Sequence, residues 1–513
     1  MAWKDFSELA PQLTQGEINF EKKKRLVGLI LGPLGFAVCW FLTPLPHVTP
    51  LGMRSLAIFC WAVIWWITEA VPIPVTSLLL LPLIAVCGLF PYEKALGYWG
   101  HWTNLFLFGA FLIGHAMEKY GLTRRVSLTL VASRLVRGRP WRLLVLFLLA
   151  NIGIGAFTSN AVDAILFTSI GIGLLRLLSV EPGSSFGTAM FLGIAWATNI
   201  GGKLTPSGSV PNMVAVGLAA AAGYRIGYAQ WFIANLPFTI LQTVAMLCVL
   251  RLFLSRKDQE YVLPTELIRD EVRKLGPFSR GEKIACAALA TALTLWILPD
   301  ILPLLLGRTH PLAVWSTTRL NWGVVALLVG GSLFVIPIDW KARKFVITWD
   351  EAMKNIEWGT MVLISGGIAL GDLIVDKRVG LGELFSAGVA RIAGGDTPSY
   401  LVIFGIILIT VVLSQVTSGV AIVSAMGAIA LVVAPTLRLN PIALLVTISL
   451  AANMGYTLPS STPPNAIVFS SGYVRIVPMF LRGSILALIG IILLSLTGYS
   501  MANWVFPWPP PSG

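Results

Sequence analysis

Long apolar blocks alternate with short polar or basic segments along this chain; residues 26–41, 78–90, 232–252, 285–298, 322–336, 401–413 and 485–496 are examples. A helix needs about 20 residues to cross the hydrocarbon core, and backbone facing lipid must satisfy its own hydrogen bonds. The blocks therefore read as transmembrane helices. The pattern predicts roughly ten to twelve spans plus shorter re-entrant pieces, in an all-α polytopic membrane protein.

Two apolar stretches are interrupted. Thr205-Pro-Ser-Gly-Ser-Val-Pro-Asn212 and Leu458-Pro-Ser-Ser-Thr-Pro-Pro-Asn465 place prolines and hydroxyls where a membrane helix should run unbroken. Broken backbone at membrane depth is tolerated only where it is buried in protein or lines a cavity. Matching breaks in two halves point to the binding site of a transporter.

The breaks belong to a larger repeat. Asn104-Leu-Phe-Leu-Phe-Gly-Ala-Phe-Leu-Ile-Gly114 and Glu118-Lys-Tyr-Gly-Leu122 are echoed by Thr360-Met-Val-Leu-Ile-Ser-Gly-Gly-Ile-Ala-Leu-Gly371 and Asp376-Lys-Arg-Val-Gly-Leu381. Next in each copy is an apolar stretch interrupted midway, by Phe157-Thr-Ser-Asn-Ala-Val162 and by Val416-Thr-Ser-Gly-Val-Ala421. Each suits a helical hairpin that enters and leaves on one side. Three features in the same order at near-constant spacing outweigh chance similarity among Gly-rich helices.

Charge sets the orientation. The formal net charge is +13, but only 12% of residues are charged and 56% are hydrophobic, with mean hydropathy +0.80. The basic residues crowd into short loops, as the positive-inside rule requires, so nucleic acid is not the expected partner. Lys22-Lys-Lys-Arg25 precedes the first span and predicts a cytoplasmic N-terminus. Residues 120–142 hold Arg124, Arg125, Arg134, Arg137, Arg139 and Arg142 with no acid, whereas 377–399 mix Lys377, Arg378 and Arg391 with Glu383 and Asp396. The two copies are thus expected to be inverted. The polar N-terminus reads as uncleaved, with the first span directing insertion into a bacterial inner membrane.

Enzyme chemistry finds little support. His47, His101, His115 and His310 are scattered, and Cys39, Cys60, Cys87, Cys248 and Cys286 lie in apolar runs at no metal or redox spacing, as small core residues would. No Gly-Lys-Ser/Thr phosphate loop is present, so ATP drive and a bound cofactor are not expected.

The expected organisation is a cytoplasmic N-terminal segment (1–25), scaffold helices (26–103), a first repeat (104–230) with hairpin 143–178 and broken helix 187–222, further scaffold helices (231–358) with a cytoplasmic linker (255–283), a second repeat (359–476) with hairpin 399–437 and broken helix 441–474, and a C-terminal span and tail (477–513).

Four motifs carry a resemblance. Trp65-Trp-Ile-Thr-Glu-Ala-Val-Pro-Ile-Pro-Val-Thr76 followed by Leu78-Leu-Leu-Leu-Pro82, Ala116-Met-Glu-Lys-Tyr-Gly-Leu-Thr-Arg-Arg125, Thr158-Ser-Asn-Ala161 and Ser461-Thr-Pro-Pro-Asn-Ala-Ile-Val-Phe469 are similar to signatures of the divalent anion/sodium symporter family, which carries dicarboxylates, citrate or sulfate. The resemblance spans residues 26–500. It implies about eleven spans, two re-entrant hairpins, a homodimer, and a transport domain that moves like an elevator against a scaffold.

A divalent anion leaving water needs hydrogen-bond donors, and broken helix ends supply unpaired amides with a partial positive charge. Ser159, Asn160, Ser209, Asn212, Ser418, Thr462 and Asn465 add neutral donors. Singly, each Ser or Thr could instead back-bond its helix, and Asn212 and Asn465 could equally cap the broken helices. The resemblance implies a substrate between Ser159-Asn160-Ala161 and Ser418-Gly419-Val420, closed by Ser209 and Thr462-Pro463. It implies one sodium site at Ser159, Asn160 and the Gly208 carbonyl, and a second at Ser414, Thr417, Gly419 and Ser461. Gly155 stands where the family can offer a serine, Ala161 where it has threonine, Gly419-Val420 where it has Asn-Thr, and Val210 where it has proline.

Asp163 and Lys203 are ionisable groups within these membrane elements, a class that defaults to function. Three readings stand: an ion pair between hairpin and broken helix; Lys203 replacing a cation or binding the anion, with Asp163 balancing it; or Asp163 as a protonation site. The function expected is a secondary active transporter of a small divalent anion, of the dicarboxylate or sulfate class, coupled to sodium by resemblance. A proton-coupled or exchange-type carrier and an uncoupled anion channel are the alternatives.

Overall fold

The computed structural model describes residues 15–46, 48–136, 138–255, 265–393 and 398–508, and it is almost entirely helical. His47, Arg137, Asp396 and the linker residues 256–264 lie outside the described residues. The one sheet is a small hairpin of Pro337–Asp339 with Lys344–Phe345.

The first helix, Gln15–Phe41, takes in the second half of the segment expected to be a separate polar cap, so that cap and the first span share one helix. Eight described helices are long and apolar enough to cross a membrane singly, or nine with the bent pair Pro311–Arg319 and Trp322–Ser332 counted as one span. The expectation of about eleven differs from this because several crossings are broken: Pro140–Gly155, Val210–Ala221, Ser399–Ser414 and Pro441–Ala452 are apolar but too short alone.

The hairpin arms are Pro140–Gly155 with Asn160–Leu177, and Ser399–Ser414 with a second arm that starts at Gly419–Ile422 and passes through a π-turn at Val423–Gly427 into Ala428–Val433. The broken helices are Ser185–Gly201 with Val210–Ala221, and Pro441–Ala452 with Pro463–Ser470. Prolines open the helices at Pro50, Pro140, Pro311 and Pro441, where the missing amide has no helical partner to lose. Ser279 and Glu282 form a capping box at the start of Arg280–Leu306. Glu282 also pairs with Arg125 at 2.5 Å, which ties the arginine-rich segment after the first repeat helix to this span.

The first half of the first broken helix lies in the interior: every residue of Phe186–Gly201 is buried. Around them stand longer helices with lipid-facing sides, such as Arg280–Leu306 and Ile476–Val505. Cys248 and Cys286 lie exposed on such helices, so not all cysteines are core residues, and Cys39 and Cys60 stay unbonded with sulfurs 3.7 Å apart.

One packing contact depends on glycine. Helices Trp102–Lys119 and Trp322–Ser332 approach so closely that a Cβ on Gly109 would stand 2.3 Å from the Ala326 carbonyl oxygen. On the same helix a Cβ on Gly114 would meet nothing. Gly109→Val should therefore destabilise the detergent-purified protein by about 1–3 kcal/mol through backbone displacement, while Gly114→Val leaves thermal unfolding nearly unchanged.

Candidate functional site

The two breaks are braced in the same way. Asn212 Nδ2 donates to the Gly202 and Thr205 carbonyls, each at 2.8 Å, across the first break. Asn465 Nδ2 donates to Gly455 at 3.1 Å and Leu458 at 2.9 Å across the second, at identical sequence offsets. Both side chains are fully buried. Of the two roles left open for these asparagines, satisfying the broken helix is the one their geometry fulfils. Carbonyls freed by each break would otherwise be orphaned in a dry interior.

Four helix N-termini belong to these elements, at Ser159, Ser209, Ser418 and Thr462. Their backbones fall into matched pairs. The hairpin-tip caps Ser159 and Ser418 share φ −61°, with ψ 135° and 129°; the break caps Ser209 and Thr462 have φ −150° and −145°, with ψ 142° and 154°. None of the four hydroxyls bonds its own helix, whereas Thr49, Ser184, Ser279, Asn321 and Asn440 cap theirs. A helix end leaves its first amides unpaired, and a serine cap ordinarily takes one of them.

The hairpins contribute most of these amides. In each second arm the earliest amides bonded back to the cap carbonyl are Asp163 to Ser159 (2.9 Å) and Ile422 to Ser418 (3.2 Å), leaving the amides of Asn160, Ala161, Val162, Gly419, Val420 and Ala421. The breaks contribute fewer, since Pro211, Pro463 and Pro464 have no N–H. Gly419 packs tightly: its Cβ would stand 2.6 Å from the Ala452 carbonyl and 3.3 Å from the Pro211 ring, so the second tip touches both breaks.

Three of the cap hydroxyls have partners elsewhere. Ser159 Oγ donates to Glu357 Oε1 at 2.5 Å, and Glu357 Oε2 accepts from Thr360 Oγ1 at 3.0 Å. Ser209 Oγ donates to Asn453 Oδ1 at 2.5 Å and accepts from Asn160 Nδ2 at 3.4 Å. Asn453 Nδ2 reaches Asn212 Oδ1 at 3.1 Å, so one polar chain runs from the first tip across the first break to the second. Thr462 Oγ1 accepts from Asn199 Nδ2 at 3.1 Å. A cleft beside the first tip is lined by Phe157, Ser159, Ser207, His115, Asn355 and Glu357.

Around the first break, oxygens converge. A Cβ on Gly202 would lie 2.6 Å from Asn160 Oδ1 and 2.9 Å from the Gly208 carbonyl; one on Gly208 would lie 2.8 Å from the Gly202 carbonyl and 2.9 Å from that of Ala156. Asn160 Oδ1 has no hydrogen-bond partner. An orphaned amide oxygen among backbone carbonyls fits a hard monovalent cation.

The second cation set is less assembled. Ser414 Oγ back-bonds to the Val411 carbonyl at 2.8 Å, and Thr417 Oγ1 turns to the Trp66 carbonyl at 3.2 Å. Ser461 Oγ bonds the Gln415 and Leu458 carbonyls at 3.0 and 2.9 Å, and the Ser414 carbonyl lies 2.7 Å from where a Gly455 Cβ would be. Gln415 joins hairpin to break: its Oε1 accepts from the Tyr456 and Thr457 amides at 3.0 and 3.2 Å, and its Nε2 donates to the Met454 carbonyl at 2.9 Å. Gln415, Asn453, Asn199 and Glu357 join this network without belonging to any of the four motifs. Gln415 and Asn453 carried a signal, as lone amides in or beside an apolar run.

Asp163 and Lys203 do not form the ion pair expected as one reading. Asp163 faces the last turn of Ser185–Gly201, where Thr198 Oγ1 donates to its Oδ2 at 2.8 Å. Lys203 follows that helix and points to its other neighbours, donating to Gln242 Oε1 at 2.7 Å and Tyr456 Oη at 2.8 Å. It is fully buried and straps the first break to the second. Among the described residues no group of His, Cys, Asp and Glu could hold a metal ion.

Comparison with known proteins covers nearly the whole chain. The model of the family described as the sodium:sulfate symporter transmembrane region matches residues 23–508. SdcS of Staphylococcus saprophyticus, named a sodium-dependent dicarboxylate transporter, is 31% identical over 490 residues, 93% of this chain and 91% of its own. SdcS of Staphylococcus aureus USA300 is 29% identical over 489 residues, with the same shares. Among solved structures, Neisseria gonorrhoeae MtrF overlays 77% of this chain and 80% of its own, at 13% identity and TM-score 0.47.

The bonding yields two expectations. Asn212 holds Ser449 and Asn453 as well as its break, whereas Asn465 holds its break alone. Asn212→Ala should then lower stability by about 2–4 kcal/mol and Asn465→Ala by about 1–3 kcal/mol in thermal unfolding, since each leaves buried carbonyls unpaired. Glu357→Gln replaces a charged acceptor of the Ser159 hydroxyl with a neutral one. Binding titrations should show anion affinity rising roughly three- to tenfold, because the internal competitor is weaker.

Proposed function

The chain belongs to the sodium:sulfate symporter family, and on that premise we propose that it moves a small divalent anion across the membrane by alternating access, coupled to sodium. One observation carries the reading. Four helix N-termini sit at two tips and two breaks, and their hydroxyl caps leave the helix amides unspent. Such ends bind anions through amides and dipole without a permanent cation, which favours release on the far side. The anion would lie among Ser159, Asn160, Ala161, Ser418, Gly419 and Val420, with Ser209, Thr462 and Pro463 closing it. The names of the two Staphylococcus relatives support a dicarboxylate over sulfate.

Sodium is a second cargo. Asn160 Oδ1 and the Gly202, Gly208 and Ala156 carbonyls supply oxygens at the first break, with Ser159 beside them. At the second break, Ser414, Thr417, Gly419 and Ser461 would complete a site after Thr417 releases Trp66. Cation binding there would tighten each tip against its break and raise the affinity for the anion.

The hairpins and broken helices form the moving unit, and the helices of 26–103 and 231–358 the stationary one. Ser159 to Glu357 and Thr417 to Trp66 are then contacts across the sliding interface, to be broken in each crossing. The unit works in a homodimer with a cytoplasmic N-terminus, following the resemblance and the basic loops.

An exchange-type carrier is the second reading, favoured by the Ser414 and Thr417 hydroxyls turned away from the second cation set. Proteoliposomes separate the two. Symport predicts uphill uptake of labelled succinate or sulfate that collapses when the inward sodium gradient is removed. Sodium-independent uptake only into vesicles preloaded with anion would replace symport by exchange.

A further inference from the structure

Asp163 lies in the first turn of Asn160–Leu177, one turn beyond the first hairpin tip, and is only 1% exposed. A carboxyl group so far from water either meets a compensating charge or takes up a proton. Among the described residues no cation faces it: the helices packed on it, Pro140–Gly155, Ser185–Gly201 and Pro463–Ser470, present no charged side chain there. Its Oδ2 accepts one hydrogen bond, from Thr198, and its Oδ1 accepts none.

Several further oxygens lie close to it. The Thr198 hydroxyl has one hydrogen to give and stands between Asp163 Oδ2 at 2.8 Å and Asn151 Oδ1 at 3.0 Å. A Cβ on Gly155 would meet Asp163 Oδ2 at 3.1 Å and the Thr198 carbonyl at 3.6 Å. Carboxylate, hydroxyl, amide and carbonyl oxygens therefore cluster beside a glycine that leaves them room. One helical turn away, about 5 Å along the axis, stands the oxygen cluster of the first break with its orphaned Asn160 Oδ1.

We propose that Asp163 supplies the fixed negative charge that holds sodium at the first hairpin tip of this chain. This rests on the sodium-coupled reading and adds to it the residue that carries the charge. With Asp163 beside the tip the protein itself supplies charge that balances the cation.

The test is a sodium titration of the purified full-length protein by thermal shift, with choline as the balancing cation, with and without succinate. The wild-type protein should be stabilised by sodium in the absence of succinate. Asp163→Asn should weaken that apparent affinity about 10–100-fold, while Thr188→Val, which removes a buried hydroxyl at the far end of Ser185–Gly201, retains it. Should Asp163→Asn fail to fold, Gly155→Val crowds the same carboxylate without adding an oxygen ligand and should weaken sodium binding in the same direction. An Asp163→Asn or Gly155→Val protein with the wild-type titration overturns the proposal, as does equal loss in Thr188→Val. A wild-type protein stabilised by succinate but never by sodium also overturns it and leaves anion binding standing. Stabilisation by neither cargo would sink the proposed function itself.

Discussion

Everything at the centre of this protein follows from one constraint: a helix broken inside a bilayer must still satisfy its backbone. Asn212 and Asn465 meet that demand by bridging the carbonyls that each break releases. The unpaired amides have a separate origin: the helices that start at the hairpin tips have no preceding turn to accept from their first N–H groups. Hydroxyl caps that bond other elements, and not their own helices, preserve that state.

The halves share this plan and differ in how they execute it. In the first, the tip is tied to its break through Asn160 and Ser209, and the Thr205 hydroxyl bonds the Ala156 carbonyl. In the second, Gln415 does the corresponding work from the hairpin side, gathering the amides of Tyr456 and Thr457. Lys203, at the first break, then reaches Tyr456 at the second. The two breaks are thus one mechanical piece, joined by the buried Lys203 amino group, which bonds Gln242 and Tyr456.

The positions of the tips and breaks were legible because prolines and hydroxyls inside apolar runs violate the membrane pattern sharply. The matched backbone angles at Ser159 and Ser418, and at Ser209 and Thr462, reflect the repeat that those residues announced. Glu357 was not legible: it is an ordinary acid at a helix start, and only tertiary approach brings it to Ser159. The pairing of Asp163 with Lys203 failed for a related reason. Sequence reveals two charges near one depth but not the helix faces they occupy, and here Thr198 and Gln242 claim them on different neighbours. Short broken halves hide crossings from a length criterion in the same way.

At the proposed anion site, the bond from Ser159 to Glu357 occupies one donor before any ligand arrives. A tethered carboxylate acts at a fixed effective concentration, in the millimolar range for short flexible links, whatever the medium contains. Any incoming anion competes with that rival before it gains a contact. That rival lowers the affinity of every anion by the same factor, so it sets how much free ligand the tip needs and leaves the choice among ligands to the remaining amides.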